Sequence, residues 1–294
     1  MAATTANNNN ANADAKVWLI TGCSSGLGRQ LAIAARSRGD LVIATARKIE
    51  TLKDLQDLGC QALALDVTAD DAVVNDIVAK AHALYGRIDI LVNNAGYAMY
   101  GTVEEASAQE IQAAFDTNVF GLLRVTRAVL PYLREKRAGT IANIGSSAGY
   151  VPFAACGLYS ATKFAVAGVT QSLRQEVEGL GIKVTVIEPG MFRTSIAANG
   201  SFFQKSIDDY KPLTDFFKTL VENSPNVAAD PVKGAQAIVE ALTQTGRAAD
   251  RPLPNRLPLG GDVFDLVQGV LTTGQKELNE WKDFTDPAAF AFDA

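Results

Sequence analysis

A tyrosine and a lysine stand four residues apart in Tyr159-Ser160-Ala161-Thr162-Lys163. On a helix, positions i and i+4 share one face. A lysine so placed can lower the phenol's pKa and hold it ready to exchange protons near neutrality. Alone, the spacing is common and reads as a tyrosine and a lysine on a wet face. Ser146 comes 13 residues earlier, at the end of the apolar run 140–146. A hydroxyl there could hydrogen-bond an oxygen that is being oxidised or reduced. The single histidine, His82, leaves little room for other acid/base chemistry. Ser-His or Cys-His catalysis would have to run through it, and metal sites that need two or three imidazoles are excluded. His82 falls in the helix before the fourth strand and reads as structural.

A second cluster could hold phosphate. Thr21-Gly22-Cys23-Ser24-Ser25-Gly26-Leu27-Gly28 lies between the apolar run 17–20 and a stretch with helical spacing. Glycines there allow a tight turn and close approach of a pyrophosphate to a helix N-terminus. The spacing is not GxGxxG and a plain βα turn would suffice, but the strand–turn–helix context favours a dinucleotide. Arg47 stands 19 residues beyond Gly28, near the position where an acid would hold a ribose 2′-OH. The stretch Ala44-Thr45-Ala46-Arg47-Lys48 holds no acid. An arginine suits a 2′-phosphate through a bidentate, charge-assisted contact; the alternative is a solvated surface arginine.

These residues need a frame. Short apolar runs at 17–20, 41–46, 62–67, 88–96, 140–146 and 182–190 read as strands, and most are followed by helical spacing. Runs buried on both faces with alternating helices imply an α/β fold. The expected form is a doubly wound (Rossmann), mostly parallel sheet with helices on both faces. Helices are expected over 69–85, 107–137 and 157–179, with a kink or break at Pro131. Residues 1–15 read as a disordered tail, 16–190 as the core, and 191–294 as a lid and C-terminal extension of the same domain. The stretch 191–229 shows no strand. Asp230-Pro231 reads as an N-cap and first turn of a helix to about Thr243, 251–260 as holding a last short strand, and 261–284 as a terminal helix.

Composition narrows the classes. The chain has 294 residues, 48% hydrophobic and 20% charged, enough for a sizeable core. Its net charge of −5 speaks against a nucleic-acid partner. Cys23, Cys60 and Cys156 are odd in number and form no CxxC, so a reducing compartment fits better than a disulfide framework. The expected location is cytoplasmic, since neither a secretory leader nor an apolar run of transmembrane length is present.

In this order and context the residues resemble the short-chain dehydrogenase/reductase family, over about Lys16 to Thr194. The resemblance rests on TGxxxGxG (21–28), Asp66-Val67, Asn93-Asn94-Ala95-Gly96, Asn118, Ser146, the YxxxK pair and Pro189-Gly190 with Thr194. It implies that Tyr159 is the general acid/base, that Lys163 bonds the nicotinamide ribose and tunes Tyr159, and that Ser146 positions the substrate oxygen. Asn118 is implied to hold a water that links Lys163 to solvent. Gly22, Ser24, Ser25, Gly26, Leu27 and Gly28 would cradle the pyrophosphate. Asp66 and Val67 would flank the adenine, Asn93, Ala95 and Gly96 would support the ribose and sheet, and Ile187, Pro189, Gly190 and Thr194 would border the nicotinamide. Gly145 stands where many members have another serine. Ser147 is 12 residues from Tyr159 and is the weaker catalytic candidate.

Three aromatic clusters follow strands at the same sheet edge: Tyr97, Met99 and Tyr100; Tyr150, Val151 and Phe153; Phe192, Phe202 and Phe203. Each could be core, and together they suggest an apolar pocket that Cys156 could line. The expected activity is NADP(H)-dependent interconversion of a secondary alcohol and a ketone on a hydrophobic small molecule, with NADP(H) preferred over NAD(H), in a homodimer or homotetramer. The alternatives are a cofactor-binding sensor or scaffold without turnover, and an isomerase, dehydratase or cyclase in the same pocket.

Overall fold

A computed structural model describes residues 15–194, 196, 200–223, 228–261, 263–286 and 290. Seven strands form one sheet in the order β3-β2-β1-β4-β6-β7-β9, every pairing parallel. They are β1 (Val17–Ile20), β2 (Leu41–Ala46), β3 (Gln61–Ala64), β4 (Ile90–Asn93), β6 (Gly139–Ile144), β7 (Ile182–Pro189) and β9 (Arg256–Leu259). The helices are α1 (Gly26–Ser37), α2 (Lys53–Asp57), α3 (Asp71–Tyr85), α4 (Ala108–Phe115), α5 (Leu122–Lys136) and α6 (Gly157–Val177), then α7 (Lys211–Asn223), α8 (Pro231–Thr243) and α9 (Val263–Glu280).

The continuous apolar strands follow from burial on both faces. In β1, Trp18 and Ile20 join one core with Leu31, Ala35 and Ile238, while Val17 and Leu19 join the other with Val78, Val129 and Leu133. Alternate side chains of one strand thus feed opposite layers. The strand order reverses between β1 and β4, which opens a crevice at the carboxyl edge, the usual ligand position of such sheets.

Several expectations are corrected. The helix expected over 107–137 is interrupted not at Pro131 but by a π-helical turn, Asp116–Gly121, between α4 and α5. Pro131 sits exposed inside α5, where water can satisfy the carbonyl it leaves unbonded. The stretch 191–229 does contain a strand. The two-residue β8 (Ser201–Phe202) pairs in parallel with β5 (Met99–Tyr100), and α7 follows it. β3 stops at Ala64, short of the expected 67, and beyond it Asp66 accepts from the Thr68 backbone N–H at 2.9 Å. Of the tail expected over 1–15, residues 1–14 lie outside the described ones, and Ala15 is buried and belongs to the core. Asp230 caps α8 by accepting from the Val232 N–H at 2.8 Å, with Pro231 in the first turn, as its sequence implies. His82 stacks on Tyr132 of α5, with ring centroids 4.2 Å apart. Among the described residues no helix is long and apolar enough to cross a membrane.

Candidate active site

The turn between β1 and α1 is built for close approach. Gly22 and Gly26 have φ of +71° and +59°, a region that favours glycine. A Cβ on Gly28 would lie 2.6 Å from the Gly22 carbonyl oxygen, and one on Gly22 would lie 2.8 Å from the Ala95 Cα. The Ser25 side chain does not cap α1, and no acid stands in its first turn, so the leading N–H groups suit an anion. Ser24 and Ser25 are exposed along this turn, while Leu27 packs into the core beneath it. Thr194 approaches from the far side, its Cβ 3.5 Å from where a Gly26 Cβ would stand.

Asn94 clamps the turn. Its Nδ2 donates to the Thr21 and Gly22 carbonyls at 2.9 and 3.0 Å, and the Thr21 hydroxyl accepts from the Asn94 and Ala95 N–H groups. Sequence reasoning gave Asn94 only a share, with Asn93 to Gly96, in supporting the ribose and sheet, not this clamp on the turn. Asn93 turns the other way. It is buried and donates to Thr126 and Asn143, both at 2.9 Å, so its side chain ties β4 to α5 and β6 rather than facing a ribose.

At the end of β2, Arg47 is exposed and its charge reaches Asp66. Burial works to raise the Asp66 carboxyl, but the two Thr68 hydrogen bonds and Arg47 outweigh it and hold the group below its ordinary range. Val67 is buried beside Gly121 of the π-helical turn. At the end of β7, Ile187 is fully buried, Pro189 is half-buried, and Gly190 donates its N–H to the Leu259 carbonyl at 2.9 Å.

The carboxyl ends of β4 and β6 meet the N-terminal half of α6, which carries Tyr159 and Lys163. The π-helical turn presents Asn118, 2% exposed. Its Oδ1 accepts from the Tyr97 N–H at 3.0 Å, and its Nδ2 donates to the Tyr97 carbonyl and to Thr162 Oγ1. Lys163 Nζ donates to the Ile144 carbonyl at 3.0 Å, next to Gly96 and Asn118. Burial lowers Lys163 to about 8. Tyr159 moves opposite to the expectation from its lysine neighbour. Burial pushes the phenol up to about 12, against a lowering hydrogen bond with Ser146. Desolvation disfavours both charged forms, and it is the largest cause at each residue. Ser146 is half-buried and accepts from the Ala148 N–H at 3.1 Å. So Asn118, Ser146, Tyr159 and Lys163 converge at one point of the sheet edge.

The aromatic clusters do not merge into one wall. Tyr100 packs on Phe202 and Phe217, with ring centroids 5.3 Å apart in both cases, in a cluster with Ala98, Cys156, Tyr159 and Val221. Phe217 and Val221 lie on α7, a helix the sequence reading did not place; their i, i+4 spacing was the available signal. Phe192 is buried under Gly234 and Gly260, Phe203 covers Gly101, and Tyr150 lies against Arg256.

The residues fit a nicotinamide dinucleotide: a glycine cradle that a Cβ would fill, an anion-ready helix start, and a hydroxyl–phenol–ammonium set beyond it. Among the described residues no group of three or more His, Cys, Asp or Glu could hold a metal ion.

The comparisons agree with this geometry. Residues 16–203 match the short chain dehydrogenase family model. The chain is 34% identical to oxidoreductase BOA17 of Botryotinia fuckeliana over 275 residues, covering 92% of this chain and 98% of that one. It is 41% identical over 179 residues to the NADP-dependent 3-hydroxy acid dehydrogenase YdfG of Salmonella typhi, covering 60% of this chain and 72% of that protein. A short-chain dehydrogenase structure from Streptomyces avermitilis superimposes with a TM-score of 0.84 at 40% identity, over 95% of this chain and 99% of that one. With its parallel sheet, its glycine turn and its Ser146–Tyr159–Lys163 cluster, the chain belongs to the short-chain dehydrogenase/reductase family of oxidoreductases.

Proposed function

We propose that this oxidoreductase interconverts a secondary alcohol and a ketone on a hydrophobic small molecule, using NADP(H) in preference to NAD(H). The observation that carries the reading is the convergence of Ser146, Tyr159 and Lys163 at the sheet edge, beside the apolar cluster of Tyr100, Phe202 and Phe217. A bound nicotinamide would supply or accept the hydride at the carbinol carbon. The Ser146 hydroxyl orients the substrate oxygen, and Tyr159 Oη gives or takes its proton. Lys163 holds positive potential beside the phenol, and Asn118 with the Tyr97 carbonyl borders the route by which a proton reaches solvent. Gly22, Gly26 and Gly28 seat the pyrophosphate, and Arg47 meets a 2′-phosphate. The relative from Salmonella is an NADP-dependent 3-hydroxy acid dehydrogenase by name, which supports NADP(H) and redox chemistry at a hydroxyl-bearing carbon.

In the same reading the segment 191–226 serves as a lid; residues 195, 197–199 and 224–226 of it lie outside the described ones. The chain would assemble as a homodimer or homotetramer through α5 and α6, where Phe164 is 45% exposed, and work in the cytoplasm. The test is consumption of NADPH and of NADH, followed by absorbance, over a panel of hydrophobic ketones. Turnover with NADPH favoured is expected. Cofactor binding without turnover of any ketone or alcohol would leave the sensor or the non-redox reading instead.

A further inference from the structure

The loop that carries Ser146 is held by a residue from far along the chain. After β6 the backbone makes a short 3-10 turn over Ser147–Gly149, in which the Ser146 carbonyl accepts from the Gly149 N–H at 2.8 Å and the Ser147 carbonyl accepts from Tyr150 and Val151 at 2.9 Å. Gly149 is wedged between two fixed objects. A Cβ there would lie 3.0 Å from the Lys163 carbonyl oxygen and 3.2 Å from Glu188 Oε1. Its own carbonyl accepts from the Arg256 guanidinium at 2.8 Å. The same guanidinium forks onto the Glu188 carboxylate, with Nε donating to Oε2 at 2.9 Å and Nη2 to Oε1, and it lies 3.3 Å from the centroid of the Tyr150 ring. Glu188 is fully buried on β7, and Arg256 stands on the neighbouring β9.

Stability does not explain this arrangement. A buried ion pair must offset the desolvation of both charges, and a packed apolar pair is often as stable. What an apolar pair cannot do is bond the Gly149 carbonyl and face Tyr150 at once. Arg256 also lies beyond residue 203, where the family match ends. We propose that Arg256, braced by Glu188, is a positioning residue that sets the place of Ser146 opposite Tyr159 by holding Gly149 and Tyr150. This rests on the catalytic role given above to Ser146.

The test uses full-length wild type, Ser146→Ala, Arg256→Lys, Tyr150→Leu and the Ser146→Ala/Arg256→Lys double variant. Lysine keeps the charge facing Glu188 but cannot also fork to Gly149 and stack on Tyr150. Tyr150→Leu removes the stack and leaves the ion pair, so one probe survives if Arg256→Lys fails to fold. Hydrogen exchange at the Gly149 and Tyr150 amides should speed up in both variants while β1 keeps its protection. Ketone reduction should lose about 10–100-fold in kcat for Arg256→Lys, with KM for NADPH unchanged, because misplacement of this kind acts on the chemical step. In the double variant the loss should equal that of Ser146→Ala alone. Unchanged exchange at Gly149 and Tyr150, or a double variant that loses the product of the single effects, would overturn the proposal. If Ser146→Ala alone leaves kcat intact, the role of Ser146 falls, and the exchange result still decides whether Arg256 holds the loop.

Discussion

Lys163 Nζ lies over the face of the Tyr159 ring, 5.5 Å from its centroid, while donating to the Ile144 carbonyl at 3.0 Å rather than to the phenol oxygen. The lysine therefore faces the ring rather than the phenol oxygen, from a site where burial opposes its own charge. That opposition has a measurable consequence for stability.

Lys163 falls from 10.5 to about 8 in the folded chain. Below pH 8 the group is protonated in both folded and unfolded states, and its full desolvation penalty, on the order of 3 kcal/mol, is present. Between pH 8 and 10.5 the unfolded chain binds more protons than the folded one, so the penalty fades. Thermal melts should show the wild type gaining on Lys163→Met as pH rises through that window. A Tm difference that does not change with pH would contradict the buried, charged lysine.

Two glycines should respond in opposite senses to alanine. At Gly28 a Cβ would press on the Gly22 carbonyl and on the Asn94 amide that clamps the turn. Gly28→Ala should cost about 1–3 kcal/mol in denaturant unfolding and weaken cofactor binding. Gly274, exposed inside α9, has nothing within 4 Å of its would-be Cβ. Gly274→Ala should be neutral or stabilise by up to about 1 kcal/mol, with activity unchanged. Equal effects at the two sites would sink the assignment of the turn as a close-approach cradle.

Arg47 is exposed at the end of β2, and no acid stands beside it in sequence; its charge instead reaches Asp66. A hydrogen bond to a charged group contributes roughly 1.5–3 kcal/mol, or on the order of 10- to 100-fold in affinity. Arg47→Ala should raise KM for NADPH by about that factor and leave KM for NADH nearly unchanged. A wild-type preference for NADH would refute the cofactor assignment. An unchanged preference in the variant would refute the role of Arg47 alone.

Much of this was legible in the chain because the central strands are buried on both faces. Val17–Ile20 is apolar throughout and Leu41–Ala46 is apolar except for Thr45, so their limits stand in the sequence. The glycine turn and the Tyr159–Lys163 pair are local patterns and were equally visible. What the sequence hid is tertiary. The break at Asp116–Gly121 is a backbone register change that carries no proline, whereas Pro131, the usual breaker, is tolerated on a wet face. The rise of Tyr159 to about 12 depends on burial by surrounding elements rather than on the i+4 lysine. Asn93 and Asn94 are neighbours of the same type with opposite tasks, set by the alternation of side chains at the end of β4. Glu188 and Arg256 are 68 residues apart and meet only because β9 lies beside β7.

The most direct test of the account is the kcat of Tyr159→Phe for NADPH-dependent ketone reduction, measured beside its affinity for NADPH. The substitution keeps the ring within the cluster of Tyr100, Cys156 and Phe202 and removes only the hydroxyl. Loss of a positioned general acid lowers a rate by about 10²–10⁴-fold. The account predicts a loss of that size with NADPH affinity unchanged. A variant that turns over at close to the wild-type rate would contradict it, because the proton would then have to come from another group.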